Sequence, residues 1–214
     1  PEPEIVDRKF DAVGSEVEFD TLAFPLPNPT LFPDRLVAKL SPVIVIRNPM
    51  FVYPSWVRAV STFGGTVDNT ESVIVGKLRW QRIIYDFYRA YYDETDPERH
   101  KDWPIVIDGD KLVENPEGQM KKFCDLVGLT ESGIQYSWES SDSSNRYSDR
   151  VLDAFFGTIK ESKGVIRENP LKVPSLEEQV KKWTAEWNVE VAQKMKEAVI
   201  SALEDYEYLR ARCL

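Results

Sequence analysis

The sequence has a single histidine, His100, in 214 residues. A metal site built on several histidines is therefore excluded, as is any mechanism that passes a proton between two of them. Its two cysteines, Cys124 and Cys213, lie far apart without metal-ligand spacing and read as reduced thiols of a cytoplasmic protein. No apolar run approaches the roughly 20 residues of a membrane span. No basic, then apolar, then small-residue opening marks a signal peptide. Neither a membrane nor a resident metal is expected. Basic residues are outnumbered: Lys+Arg total 27 against 36 Asp+Glu, a formal net charge of −9, which argues against non-specific nucleic-acid binding. Glycine is almost missing from the start, Gly14 being the only one in residues 1–46. The chain begins with Pro1 rather than methionine, so it is expected to have been trimmed, processed or cut from something longer.

What is present suffices for a globular core. The chain is 42% hydrophobic, 12% aromatic and 29% charged, which fits one domain over 1–214. Residues 1–32 read as an irregular arm, because Pro25, Pro27 and Pro29 forbid a continuous helix. Glu16 and Glu18 in that arm could lend a carboxylate to a site. Residues 175–214 read as a C-terminal helical segment.

The most informative stretch is 42–61. Val43, Ile44, Val45 and Ile46 are four consecutive β-branched residues and predict a short strand buried on both faces. Arg47 ends the run and Asn48-Pro49 breaks it. A helix is expected over 51–63, with Pro54 in its first turn and Gly64-Gly65 as the stop. A strand that feeds a helix through a tight turn is where α/β folds hold ligands. Free N–H groups at the helix start and the forked guanidinium of Arg47 together predict an anion site. Arg58 would add positive charge close by. A second strand is expected at Pro104-Ile105-Val106-Ile107-Asp108. Two such strands among helices predict an α/β protein with a parallel sheet covered by helices and a helix-rich C-terminal half.

One long helix is expected from Asn69, Thr70 or Ser72 to about Asp93. Its stripe is Val73, Lys77, Trp80, Ile84, Phe87 and Tyr91, widened by Tyr85, Tyr88 and Tyr92. These aromatics read first as core; one or two of them lining an acceptor pocket is the alternative. His100 reads as a surface residue. Asp108 reads either as a catalytic carboxylate or as a cap on the following turn. Asn115-Pro116 opens a helix that Gly128 stops. A helix over 149–162 is expected to bury Leu152, Phe155, Phe156 and Ile159. Ser175 caps a long helix with the stripe Leu176, Val180, Trp183, Trp187, Val191, Met195 and Val199.

The strand–Arg47-Asn48-Pro49–helix segment resembles the 3′-phosphate-binding element of the sulfotransferase superfamily, in which a serine follows the arginine by eight residues, as Ser55 follows Arg47 here. Other stretches are similar to the branch common in fungal and bacterial genomes. They are residues 104–108 with 112–118, Phe123-Cys124-Asp125-Leu126-Val127-Gly128-Leu129, Tyr136-Ser137-Trp138 and Tyr206-Glu207-Tyr208-Leu209. Together they cover roughly residues 30–214. The resemblance implies a three-layer, P-loop-like fold and the donor 3′-phosphoadenosine-5′-phosphosulfate. By position, Arg47 and Ser55 would hold the donor's 3′-phosphate, and Lys163-Gly164 resembles the late pair that closes over the same group. Two features of the family are missing. No phosphosulfate loop of the type Pro-Lys/Arg-Ser-Gly-Thr/Ser-Thr/Ser lies in residues 1–46, and the usual catalytic histidine upstream of the arginine is absent.

Three functions remain open at this level. The first is sulfonyl transfer to a small apolar or aromatic acceptor, with Asp68, Asp108 or an N-terminal glutamate as base. The second is a repurposed fold carrying out cyclisation, hydrolysis or elimination in secondary metabolism. The third is a non-catalytic interaction protein, for which Trp183 and Trp187 on the last helical segment would suit a homodimer.

Overall fold

The computed structural model describes residues 24–140, 150–166 and 174–214. Glu16 and Glu18 lie outside the described residues. The described residues are mixed α/β and helix-rich, about 60% helical, with a small parallel two-stranded sheet. The elements run α1 (Asp34–Val37), β1 (Val43–Ile46), α2 (Pro49–Ser61), α3 (Thr70–Val75), α4 (Arg79–Thr95), β2 (Ile105–Asp108), α5 (Gly109–Glu114), α6 (Pro116–Val127), α7 (Arg150–Glu161), α8 (Leu176–Glu186) and α9 (Val189–Arg210). Among the described residues no helix is long and apolar enough to cross a membrane.

The two strands differ in burial. β2 is buried throughout, as its apolar run predicts. The expectation that β1 is buried on both faces fails: Ile44 and Ile46 are buried, whereas Val43 is 40% and Val45 58% exposed. β1 pairs with β2 along one edge and with no other strand among the described residues, and only the face that carries Ile44 and Ile46 is covered. The far side of β2 is used by the chain's last residues. Cys213 forms a parallel bridge with Val106, and the Leu214 N–H donates to the Val106 carbonyl at 3.1 Å.

The chain divides into two compact units. One comprises Pro1–Ile44 and Trp80–Ile105. Its core is Val37, Phe87, Tyr88 and Tyr92, with Phe24, Ile84, Tyr91 and Trp103 packed around them. The Tyr88 hydroxyl donates to the Val37 carbonyl at 2.9 Å and that of Tyr92 to the Leu40 carbonyl at 3.2 Å. Phe87, Tyr88 and Tyr92 of α4 are therefore core, and the two tyrosines have their hydroxyls satisfied, as buried tyrosines require. Trp80, at the start of the stripe, is exposed. His100 stacks on Tyr92 with ring centroids 4.3 Å apart.

The other unit comprises Val45–Arg79 and Val106–Leu214. Its core joins Tyr53 and Val57 of α2 to Trp183 of α8 and to Ala192, Met195, Val199 and Ala202 of α9. Both long helices expected from the sequence are broken in two. The first stops at Gly76, which is buried against Tyr53 so closely that a Cβ there would overlap the ring. No other residue type fits, and glycine is also the weakest helix former after proline. The second breaks at Trp187-Asn188, where the Asn188 side chain accepts from the Val191 N–H and starts a new helix. The break lets α9 fold back against α8, which a continuous helix could not do.

Elsewhere the local rules hold. Asn115 caps α6 by accepting from the Gly118 N–H at 3.0 Å, and Gly128 ends it in the left-handed conformation at φ 72°. Ser175 and Glu178 form a capping box at the start of α8. The expectation for α7 is corrected: Leu152, Phe156 and Ile159 are exposed, and only Phe155 turns inward, its ring 5.3 Å from that of Trp56. Pro54 is corrected too. It is the sixth residue of α2, inside the helix rather than in its first turn, and the Met50 carbonyl loses the N–H that proline cannot supply.

Two measurements test this packing. Gly76→Ala should lower stability to urea by about 1–3 kcal/mol, the usual penalty of overpacking. Burial raises the Tyr92 hydroxyl to about 12 from 10, with the neighbouring Tyr88 and Tyr91 adding to the shift. The folded state thus keeps this proton longer than the unfolded chain does. Its stabilising share is complete below pH 10 and lost as pH rises through about 12. Thermal melts should show that loss, and Tyr92→Phe should make it shallower.

A candidate anion cleft

The site begins where β1 hands over to α2. Pro49 takes the first helical position, where its missing N–H costs little. Asn48, buried, stays extended and caps the helix by accepting from the Met50 N–H at 2.9 Å. Its carbonyl accepts from Phe51 and Val52. The first-turn amides are thus already spent on Asn48, and the expectation that they stand free for an anion is overturned. Whatever the site holds, side chains hold it.

One carboxylate fixes this turn. Asp110 Oδ2 accepts from the Asn48 N–H at 3.0 Å, and Asp110 Oδ1 accepts from Arg47 Nε at 3.3 Å. Asp110 is itself positioned by the buried Asp108, whose Oδ1 accepts from the Asp110 N–H at 2.9 Å. Of the two roles open to Asp108, the structure shows capping.

Beyond the turn lies a cleft of about 280 Å³. Arg47, Met50, Phe51, Pro54, Ser55 and Arg58 form one wall, and Gln179, Lys182, Trp183 and Glu186 of α8 form the other. Ser55 reaches it because six residues of α2 precede it, which brings it round beside Arg58. Three cations and one carboxylate line the cleft, so its local charge is opposite to that of the whole chain. Arg58 donates from Nε and Nη2 to the two oxygens of Glu186, at 2.6 and 2.8 Å. That bond to Glu186 raises the Arg58 guanidinium above its ordinary value. The ring of Trp187 lies 5.4 Å from the guanidinium carbon.

Of the residues expected from the sequence, Arg47 and Ser55 meet in this cleft, and Lys163 and Gly164 are not among its lining residues. The Lys163 carbonyl accepts from the Trp138 N–H at 3.1 Å. Gly164 bridges Ser137 antiparallel, and a Cβ on it would stand 3.0 Å from the Tyr136 carbonyl oxygen. The pair Lys163-Gly164 and the stretch Tyr136-Ser137-Trp138 are therefore neighbours. Asp68 pairs with Lys194 at 2.8 Å. Neither Asp68 nor Asp108 lines the cleft. Among the described residues no three of His, Cys, Asp or Glu gather as metal ligands. Sequence reasoning missed Asp110, Gln179, Lys182 and Glu186. Lys182 and Glu186, four residues apart on α8, look in sequence like an ordinary solvated face. The Asp-Gly-Asp turn after β2 was the one signal that could have pointed to Asp110.

Comparison with known proteins finds two curated relatives, both named sulfotransferases. The chain is 28% identical over 195 residues to Sulfotransferase ppzF of Metarhizium majus (strain ARSEF 297), covering 87% of this chain and 56% of the relative. It is 26% identical over 195 residues to Sulfotransferase ppzF of Metarhizium rileyi (strain RCEF 4871), with the same coverage. The chain thus spans little more than half the length of these curated relatives. No protein-family model matches the chain, and no solved structure does.

The role of Asp110 can be checked by substitution. Asp110→Ala strips the Asn48 N–H of its acceptor and should cost about 1–2 kcal/mol in urea unfolding. Asp110→Asn keeps an acceptor and loses only an exposed ion pair, so it should stay within about 1 kcal/mol of the parent.

Proposed function

We propose that the chain is part of a sulfotransferase-like enzyme with a three-layer, P-loop-like fold. It would transfer a sulfonyl group from 3′-phosphoadenosine-5′-phosphosulfate to a small apolar or aromatic acceptor. The observation that carries this reading is that Arg47 and Ser55, eight residues apart, open into one cation-lined cleft. Arg47 would grip the donor's 3′-phosphate through its guanidinium fork and Ser55 would donate its hydroxyl to the same group. The names of the two fungal relatives support the same class of reaction. When bound, the donor supplies a sulfur that leaves the bridging oxygen of its 5′-phosphate as the acceptor oxygen or nitrogen bonds to it and gives up its proton. The residues of this cleft would contribute anchoring and orientation, which in group transfer supply much of the rate.

A repurposed fold is the second reading. It is favoured by the absence of Asp68 and Asp108 from the cleft, which places neither carboxylate there as a base. A sulfonyl-transfer assay with labelled donor and a panel of phenols and alcohols separates the two: product formation supports the first and removes the second.

Calorimetric titration of 3′,5′-adenosine bisphosphate into the full-length protein tests the donor role. Loss of the charged hydrogen bonds in Arg47→Ala should weaken binding about tenfold or more. No heat at millimolar nucleotide, or binding indifferent to Arg47→Ala, overturns it.

A further inference from the structure

The cleft contains one carboxylate among its cations, and that carboxylate sits on the second arginine. We propose that Arg58 is a further anion-gripping residue of the cleft, kept in reserve by Glu186, whose carboxylate covers the guanidinium until an arriving phosphate displaces it. The inference rests on reading this cleft as a phosphate site, and it adds a residue and a competitor to that reading.

The geometry is that of a stand-in. Glu186 puts one oxygen on Nε and the other on Nη2 of Arg58, at 2.6 and 2.8 Å. Two oxygens of a phosphate engage the same edge of a guanidinium in the same forked way. The side chains of Arg58 and Glu186 are 55% and 37% exposed, and exposed pairs of this kind contribute only about 0–1 kcal/mol. Exchange is therefore cheap. Trp187, its ring under the Arg58 guanidinium, can hold that group in place by cation–π attraction when the carboxylate leaves. Arg58 and Ser55 lie three residues apart on α2, so a phosphate held by Arg47 and Ser55 would meet the uncovered fork of Arg58 on the same wall.

The test is calorimetric titration of the full-length protein with inorganic pyrophosphate and, separately, with 3′,5′-adenosine bisphosphate. Glu186→Gln should bind pyrophosphate about two- to fivefold tighter. Arg58→Gln should bind it about tenfold or more weakly. Adding Glu186→Gln to Arg58→Gln should bring no gain, because the competitor acts through the fork. Arg58→Lys keeps the charge without the fork and should lose most of the gain as well. Circular dichroism should show each variant folded, since both side chains are at the surface. The proposal is overturned if Glu186→Gln binds pyrophosphate no better than the parent, if neither protein binds it at millimolar concentration, or if the gain persists in Arg58→Gln, which would make it a general charge effect. The donor reading fails separately: pyrophosphate then shows the coupling while the nucleotide binds no tighter and ignores Arg47→Ala. Nucleotide binding that needs Arg47 but is untouched by Glu186→Gln keeps the donor and removes the reserve.

Discussion

The carboxylate of Asp110 holds the turn from which the cleft grows. Its two oxygens take the Asn48 N–H and the Arg47 side chain, so the exit of β2 fixes both the backbone and the side chain at the exit of β1. A strand end without such a tie would leave an exposed arginine free to wander. Here the guanidinium starts from a set position, and α2 leaves the turn in a set direction. Ser55 and Arg58 inherit their places from that direction.

The rest of the cleft is a matter of side-chain charge. In many anion sites the backbone amides at a helix start do most of the binding. In this chain Asn48 consumes them, through its side chain toward Met50 and its carbonyl toward Phe51 and Val52. The charge of the cleft then comes from guanidinium and ammonium groups at the end of β1, on α2 and on α8. Such a site is more sensitive to salt than an amide nest, because partly exposed charges are screened. It is also more selective for forked acceptors such as phosphate, because arginine carries most of the charge.

Some of this was legible in the sequence. The β-branched run, Arg47 and the Asn48-Pro49 break were legible because they lie within one strand–turn–helix and follow local rules, and the family resemblance added Ser55 by its spacing from Arg47. The caps at Asn115, Ser175 and Gly128 were legible for the same reason. What was hidden depended on distant contacts. Gly76 has to be glycine because Tyr53 of another helix fills the space where its side chain would be. The exposure of Val43 and Val45 depends on what does or does not cover β1, which an apolar run cannot state. Lys182 and Glu186 became part of a site only when α8 was packed across from α2.

The break at Trp187-Asn188 has a mechanical meaning. α8 ends one residue before the joint, at Glu186, and Trp183, one turn earlier, is buried between α2 and α9. Lys182 and Glu186 therefore flank a clamped tryptophan on a short, stiff arm. The wall they form cannot slide or tilt without pulling Trp183 out of the core. The width of the cleft is thus set by interior packing, and only its surface charges are free to rearrange. Changes to the buried face of α9 would therefore reach the cleft through Trp183.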